Sequence, residues 1–365
     1  MRNRALATLG AMALASVVVF WAPVIVVAQA PSGAATLAAN VWDPTTSAAP
    51  SGWTPPRTPW GDPDLRGYWL SLSYTPLERP AALADKPLYT KEEAINAFRK
   101  AVAVDAEVDP TTVHYDWKEY GMDAWQSPVR PNRRTALIVD PPDGRVPPLT
   151  PEAKKRQADN AAAIRAAGTG VWNYGNLYTR CITGNQGPPR LPGNHDAESQ
   201  IVQTPGYVIL YMQSNSDVRI IPLDGRPHLP QNVRSWSGDS RGHWEGNTLV
   251  VDSTNFTDKT HLLGNGAPAV GMPASQLTGG QGVFHTEALH VVERFTLTDA
   301  NTILYEATLD DPKVFTRPFK ISWNAFLRAP KDHQLYEYAC FEGDHDTVRR
   351  MTGVDIDPTL NVGGR

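Results

Sequence analysis

Between Asp217 and Asp258 the chain reads DVRIIPLDGRPHLPQNVRSWSGDSRGHWEGNTLVVDSTNFTD. Arg219, Arg226, Arg234 and Arg241 recur every seven or eight residues, with Asp217, Asp224, Asp239 and Glu245 interleaved. A guanidinium presents a planar fork that matches a carboxylate or phosphate. Arg219 and Arg241 are therefore candidate anchors for an anionic ligand. A histidine with a carboxylate partner is the common acid–base pair near neutral pH. His228, His243 and Glu245 form the candidate catalytic group, with His228 as the acid–base residue and Glu245 as its partner. Trp236 and Trp244 lie in the same stretch, where an indole could stack on a sugar ring or line an apolar pocket. A structural reading stands beside this one: Arg–Asp pairs would pin loops on a barrel rim, and tryptophans would plug the ends of a β core. Leu223-Asp224-Gly225-Arg226 is turn chemistry, with Asp and Gly in their usual turn roles.

Other chemistries find less support. There is no GxSxG elbow, and Ser240 in GDSRG is a loop serine. Gly279, Gly280 and Gly282 match no dinucleotide or phosphate-loop pattern, so no cofactor is expected. Two histidines and an acid could hold zinc. However, His285 and His290 lack ligand spacing and the thiolate spacing CxxC is absent, so no metal is expected. The net charge is −4 with no basic stripe, which argues against nucleic acid as a partner. The expected partner is a small molecule, anionic or aromatic; nothing sets the oligomeric state.

The elements that must position these residues begin after a targeting segment. Arg2 and Arg4 precede an apolar run from Ala5 to Val27, and Ala28-Gln29-Ala30 resembles a cleavage site. Residues 1–30 read as a secretory signal peptide. The run is also long enough for a retained anchor, but Pro23 and the small residues after it favour cleavage. A periplasmic or secreted protein with no later membrane span follows. Residues 31–66 form a Pro/Ser/Ala-rich linker and extended arm. Residues 67–168 form an irregular layer with two helices. One starts after Thr90, with Glu92 and Glu93 in its first turn; the other has Thr150 as N-cap, Pro151 at N1 and Gly168 as its stop. The second is Ala-rich and should lie on the surface. Residues 346–365 are a C-terminal tail. The only cysteines, Cys181 and Cys340, would form one disulfide in an exported chain. That bond is worth about 4–5 kcal/mol by loop entropy; two buried thiols are the alternative.

Residues 169–345 read as an antiparallel β domain, and from residue 200 the period becomes two. Strands are expected near 200–204, 206–213, 217–222, 247–254, 288–298, 302–310, 314–323 and 334–341, with a tight hairpin at Asp299-Ala300-Asn301. Leu289, Val291, Glu293, Phe295 and Leu297 share one strand face; His290, Val292, Arg294 and Thr296 share the other. About eight sequential antiparallel strands close into a barrel or fold into a sandwich, because closure removes exposed edges. Residues 262–287 are Gly-rich and read as a loop or lid.

Several long motifs, WGDPDLRGYW with TPLERP, RRTALIVDPPDGRVPPLTPEA, RIIPLDGRPH, GDSRGHWEGNTLVVDSTNFTDKT and YEYACFEGD, together resemble a large group of functionally uncharacterised exported bacterial proteins, abundant in acidobacteria and proteobacteria. The resemblance implies export and a common fold, and transfers no catalytic role. Members often carry a histidine where this chain has Phe341, so chemistry resting on that histidine would be absent here. Polar density beside a cavity-forming fold suggests an exported small-molecule enzyme, a cofactor-independent lyase or isomerase. It would use acid–base chemistry for hydration, elimination or isomerisation. The alternatives are a non-catalytic lipocalin-like or carbohydrate-binding protein, and an envelope structural protein.

Overall fold

The computed structural model describes residues 41–46, 53–71, 73–83, 85–105, 130–167, 182–183, 188–192, 198–263, 283–329 and 332–339. The expected signal peptide, the expected tail, Gly168, most of the Gly-rich stretch, Cys181 and Cys340 lie outside the described residues.

The described chain is mainly β. Its strands are β1 (Gly67–Leu70), β2 (Ile138–Asp140), β3 (Glu198–Thr204), β4 (Tyr207–Met212), β5 (Val218–Pro222), β6 (Asp239–Glu245), β7 (Thr248–Thr254), β8 (His261–Leu263), β9 (Val283–Phe284), β10 (His290–Asp299), β11 (Thr302–Asp310) and β12 (Phe319–Arg328). Two helices accompany them, α1 (Lys91–Asp105) and α2 (Pro151–Ala167). Ten strands form one antiparallel sheet in the order β5-β4-β3-β1-β12-β11-β10-β7-β6, with β2 set against β12. β8 and β9 pair separately.

The large sheet curls into a nearly closed barrel. β5 and β6 share no backbone ladder, yet their side chains meet. Arg219 Nη2 donates to Ser240 Oγ at 3.2 Å. A Cβ on Gly242 would lie 2.6 Å from Leu223 Cδ2 and 2.8 Å from Ile221 Cγ2. The absence of a side chain at Gly242 lets β5 lie against β6 and removes most of the exposed edge.

Strand alternation then sorts the side chains. Trp244, Leu249, Phe295, Tyr305 and Trp323 are paired in sequence across β6, β7, β10, β11 and β12 and face inward. Phe295 packs on Tyr305 at 5.1 Å and on Phe326 at 5.7 Å between ring centroids. With Trp69, these rings fill the barrel as a packed core.

The N-terminal layer buries the outer side of β12. Ser322 N–H donates to Leu137 O at 2.8 Å, and Leu137 N–H to Pro76 O at 2.8 Å. Leu77, Leu137 and Ile138 are buried there. α1 opens with a reciprocal capping box: Glu93 N–H donates to Thr90 Oγ1 at 3.2 Å and Thr90 N–H to Glu93 Oε2 at 2.8 Å. Thr150 caps α2 through Ala153 N–H at 3.1 Å and also donates to Lys313 O at 2.9 Å. In the described part of α2 only Ala153 is buried, as its Ala-rich, weakly apolar sequence implies.

The β8–β9 pair falls at the ends of a stretch expected to be a loop or lid, and three further elements differ from expectation. The strand expected at 314–323 begins instead at Phe319. Asp311 O holds the N–H groups of Val314 and Phe315 in a turn, and Pro318 cannot join a ladder. β6 falls in a stretch that reads as loop from its polar content. Its outward residues Asp239, Arg241, His243 and Glu245 are all charged or titratable, while its inward Ser240 and Gly242 are small. Residues 332–339 form no strand, because this segment lies against the outside of the sheet rather than extending it.

Candidate functional site

The residues singled out in the sequence fall on opposite sides of the sheet. Arg219 points into the barrel. Glu293 on β10 meets it with both oxygens, at 3.1 Å from Nη1 and 2.5 Å from Nη2. Tyr305 Oη donates to Glu293 Oε1 at 2.9 Å and accepts from Arg190 N–H at 2.6 Å. Ser240 links Arg219 to Ser253 through a 2.9 Å hydroxyl pair. Burial works against the Arg219 guanidinium, but the charge and hydrogen bonds of Glu293 outweigh it and keep its pKa above the ordinary value. Burial, then the Glu293 charge, pushes the Tyr305 phenol well up. Burial also lowers Arg190 to about 10. Arg219 thus serves a buried intramolecular pair instead of standing at a rim. Trp244, on the inward side of β6, packs against the core.

Arg241, His243 and Glu245 project from the opposite face of β6. Residues 223–238 fold back over this face. His228 Nδ1 lies 2.9 Å from Asp239 Oδ2, and its Nε2 lies 3.0 Å from Asp252 Oδ1. The second Asp252 oxygen meets His290 Nε2 at 2.9 Å. His228 thus stands between two carboxylates. Arg241 Nη1 donates to Asp239 Oδ1 at 2.6 Å, and its Nε to Pro227 O at 3.0 Å. His243 and Arg294 take the two oxygens of Glu245, at 3.2 Å and 2.8 Å. His228 is therefore brought to Asp239 and Asp252, while His243 and Glu245 form a separate pair.

Each charge on this face is answered by a neighbour. Hydrogen bonding from His290 holds the Asp252 carboxyl below its usual range, and the same bond raises His290. Hydrogen bonding from Arg294 lowers Glu245. Asp224, bonded by Arg226, is lowered to about 2. Trp236 stands on the loop with 36% of its surface exposed. Asn255, at φ +58, donates to the carbonyls of Leu229, Pro230 and Val233 and holds the same loop down. No group of three or more His, Cys, Asp and Glu side chains among the described residues is arranged to hold a metal.

A groove of about 500 Å³ lies elsewhere, on the outside of β1, β3 and β4. Tyr68, Gln200, Tyr211 and Ser216 form its floor, and Gln334 to Glu337 its other wall. Tyr68 pairs with Gln200, and Gln200 with Tyr211, across three adjacent strands. Tyr336 N–H donates to Gln213 Oε1 at 2.9 Å, and His333 stands edge-on to Tyr68 at 5.8 Å between centroids. These two contacts hold the outer wall against the sheet. The sequence carries no local sign of this groove, since its floor comes from strands far apart in the chain and is aligned only by register. Glu293 was more legible: it is the one acid among the apolar residues of its strand face.

The chain matches no known protein family, no characterised protein and no solved structure. No helix among the described residues is long and apolar enough to cross a membrane.

Proposed function

We propose that this is an exported binding protein that takes a small molecule in the groove on the outside of β1, β3 and β4. The groove itself carries this reading: about 500 Å³ of space, lined by three tyrosines with amide and hydroxyl groups between them, falls within the size range of ligand sites. The barrel interior favours it indirectly, since aromatic side chains fill the volume a lipocalin-like carrier would use. Export rests on the basic, then apolar, then small-residue pattern of residues 1–30. Ligand-observed NMR with a fragment library would test the reading. Binders of the mature protein should lose their signals in Tyr336→Ala and Gln200→Ala. Binders indifferent to both substitutions would place the site elsewhere.

A second reading, an exported acid–base enzyme catalysing hydration, elimination or isomerisation, is favoured by one observation. His228 bridges Asp239 and Asp252, and Asp252 passes the relay on to His290. A half-buried imidazole between carboxylates can shuttle protons. This reading requires a ligand held beside β6 and β7, whose turnover His228→Gln abolishes while leaving its binding intact. Unchanged turnover would remove it.

A further inference from the structure

We propose that the groove is a saccharide site that reads one or two neutral sugar rings. This rests on the binding reading above and adds the class of ligand.

The floor comes first. Tyr68, Gln200 and Tyr211 occupy one cross-strand row on the outer face. Adjacent strands lie about 4.8 Å apart, so the two tyrosines are separated by about 10 Å with an amide midway. That is the span of a disaccharide. A sugar ring has an apolar C–H face and a rim of hydroxyls. Tyrosine offers an apolar ring with a polar tip, and has few rotamers to lose on binding. An amide between two such rings meets the hydroxyl rim.

The facing wall repeats the pattern. Gln334 and Tyr336 line it, and Tyr336 is 74% exposed. Its backbone is fixed by Gln213, which holds the ring at the mouth of the groove.

The hydrogen-bonding groups discriminate among ligands. Gln200, Gln334, Ser216 and the tyrosine hydroxyls each donate and accept. Sugar hydroxyls do the same, so every pairing can be satisfied in either sense. Among the described residues no Lys or Arg lines the groove, and Glu337 is the one charge. An anionic ligand would meet that carboxylate. A purely aromatic ligand would leave the amides unsatisfied, which costs binding free energy.

The probes are glucose, maltose, cellobiose, glucuronate and benzoate, tested by saturation-transfer NMR and calorimetry on the mature protein. At least one neutral disaccharide should bind, more tightly than glucose. Tyr336→Ala and Gln200→Ala should each weaken it at least tenfold. Tyr336 is exposed, so its loss leaves the fold intact, and an unchanged circular dichroism spectrum confirms that. Glucuronate should bind no better than glucose. If only benzoate or glucuronate binds, in a Tyr336-dependent manner, the saccharide inference fails and the binding reading stands. If no probe binds, or binding ignores Tyr336 and Gln200, both fail.

Discussion

Glu293 accepts three hydrogen bonds where its side chain has no access to water, two from Arg219 and one from Tyr305. A buried ion pair contributes little against an apolar replacement of both partners, but removal of one partner leaves the other charge unanswered. Arg219→Met alone should therefore destabilise the protein by about 3–5 kcal/mol. The double variant Arg219→Met with Glu293→Leu should recover much of that loss. Urea unfolding midpoints of the three proteins check the ordering, and a double variant less stable than the single would contradict it. At the surface, His290 and Asp252 give a pH-dependent counterpart. The His290 pKa is raised, chiefly by its hydrogen bond to Asp252, so the folded state keeps a proton that the unfolded state releases. That stabilisation is full below the ordinary value of 6.5 and is lost as pH rises through the higher folded value. Asp252, lowered chiefly by the same bond, contributes above 3.8 and loses its contribution as pH falls through the lower folded value. The stability difference between the natural protein and His290→Gln should be greatest between these limits and shrink from pH 7 to 9. Denaturation at stepped pH would show it; a difference that grows with pH would refute the assignment.

β6 shows how an element can be hidden in the sequence and still be specified by it. Gly238 enters it at φ +71, a conformation that favours glycine. A Cβ there would lie 2.6 Å from the Thr254 carbonyl oxygen and 2.7 Å from the Phe256 ring. Gly238→Ala should cost about 3 kcal/mol, from strain at positive φ and from displaced backbone. It should also shift the NMR signals of His228, because Asp239 next in the chain holds that ring. Thermal unfolding with histidine-detected spectra would test both; a neutral substitution would contradict the close approach. The alternation of β10 and β11, and the caps at Thr90 and Thr150, were legible because each depends on neighbours in the chain. β6 was not, because its outward face is wholly polar and its inward Ser240 and Gly242 are small. What makes it a strand is pairing with β7 and the space that Gly242 leaves for β5.

At the scale of the whole molecule, the barrel is completed by side chains where its backbone ladder stops. Among the described residues the interior is filled with rings and a polar network. The face over β6, β7 and β10 is occupied by mutually paired charges, and the face over β1, β3 and β4 carries the groove. The β5–β6 seam should be the softest part of the barrel, since its edge amides lack ladder partners. Hydrogen exchange should be faster for seam-facing amides of β5 and β6 than for those of β10 and β11. Uniform protection across all four strands would show that the seam is closed by backbone bonds after all.

By itself the sequence determined the mainly β class, the two helices with their caps, the β10–β11 hairpin and the strand face that Glu293 shares with Leu289, Val291, Phe295 and Leu297. Each follows from local propensity or from alternation along one strand. Only the tertiary structure decided which side of the sheet each candidate residue occupies and which partner it meets. Arg219 and Arg241 look alike in the chain, yet the strand period sends one to Glu293 in the core and the other to Asp239 at the surface. The groove belongs wholly to this second kind. Tyr68, Gln200 and Tyr211 become neighbours because the registers of β1, β3 and β4 align them, and register is a property of paired strands.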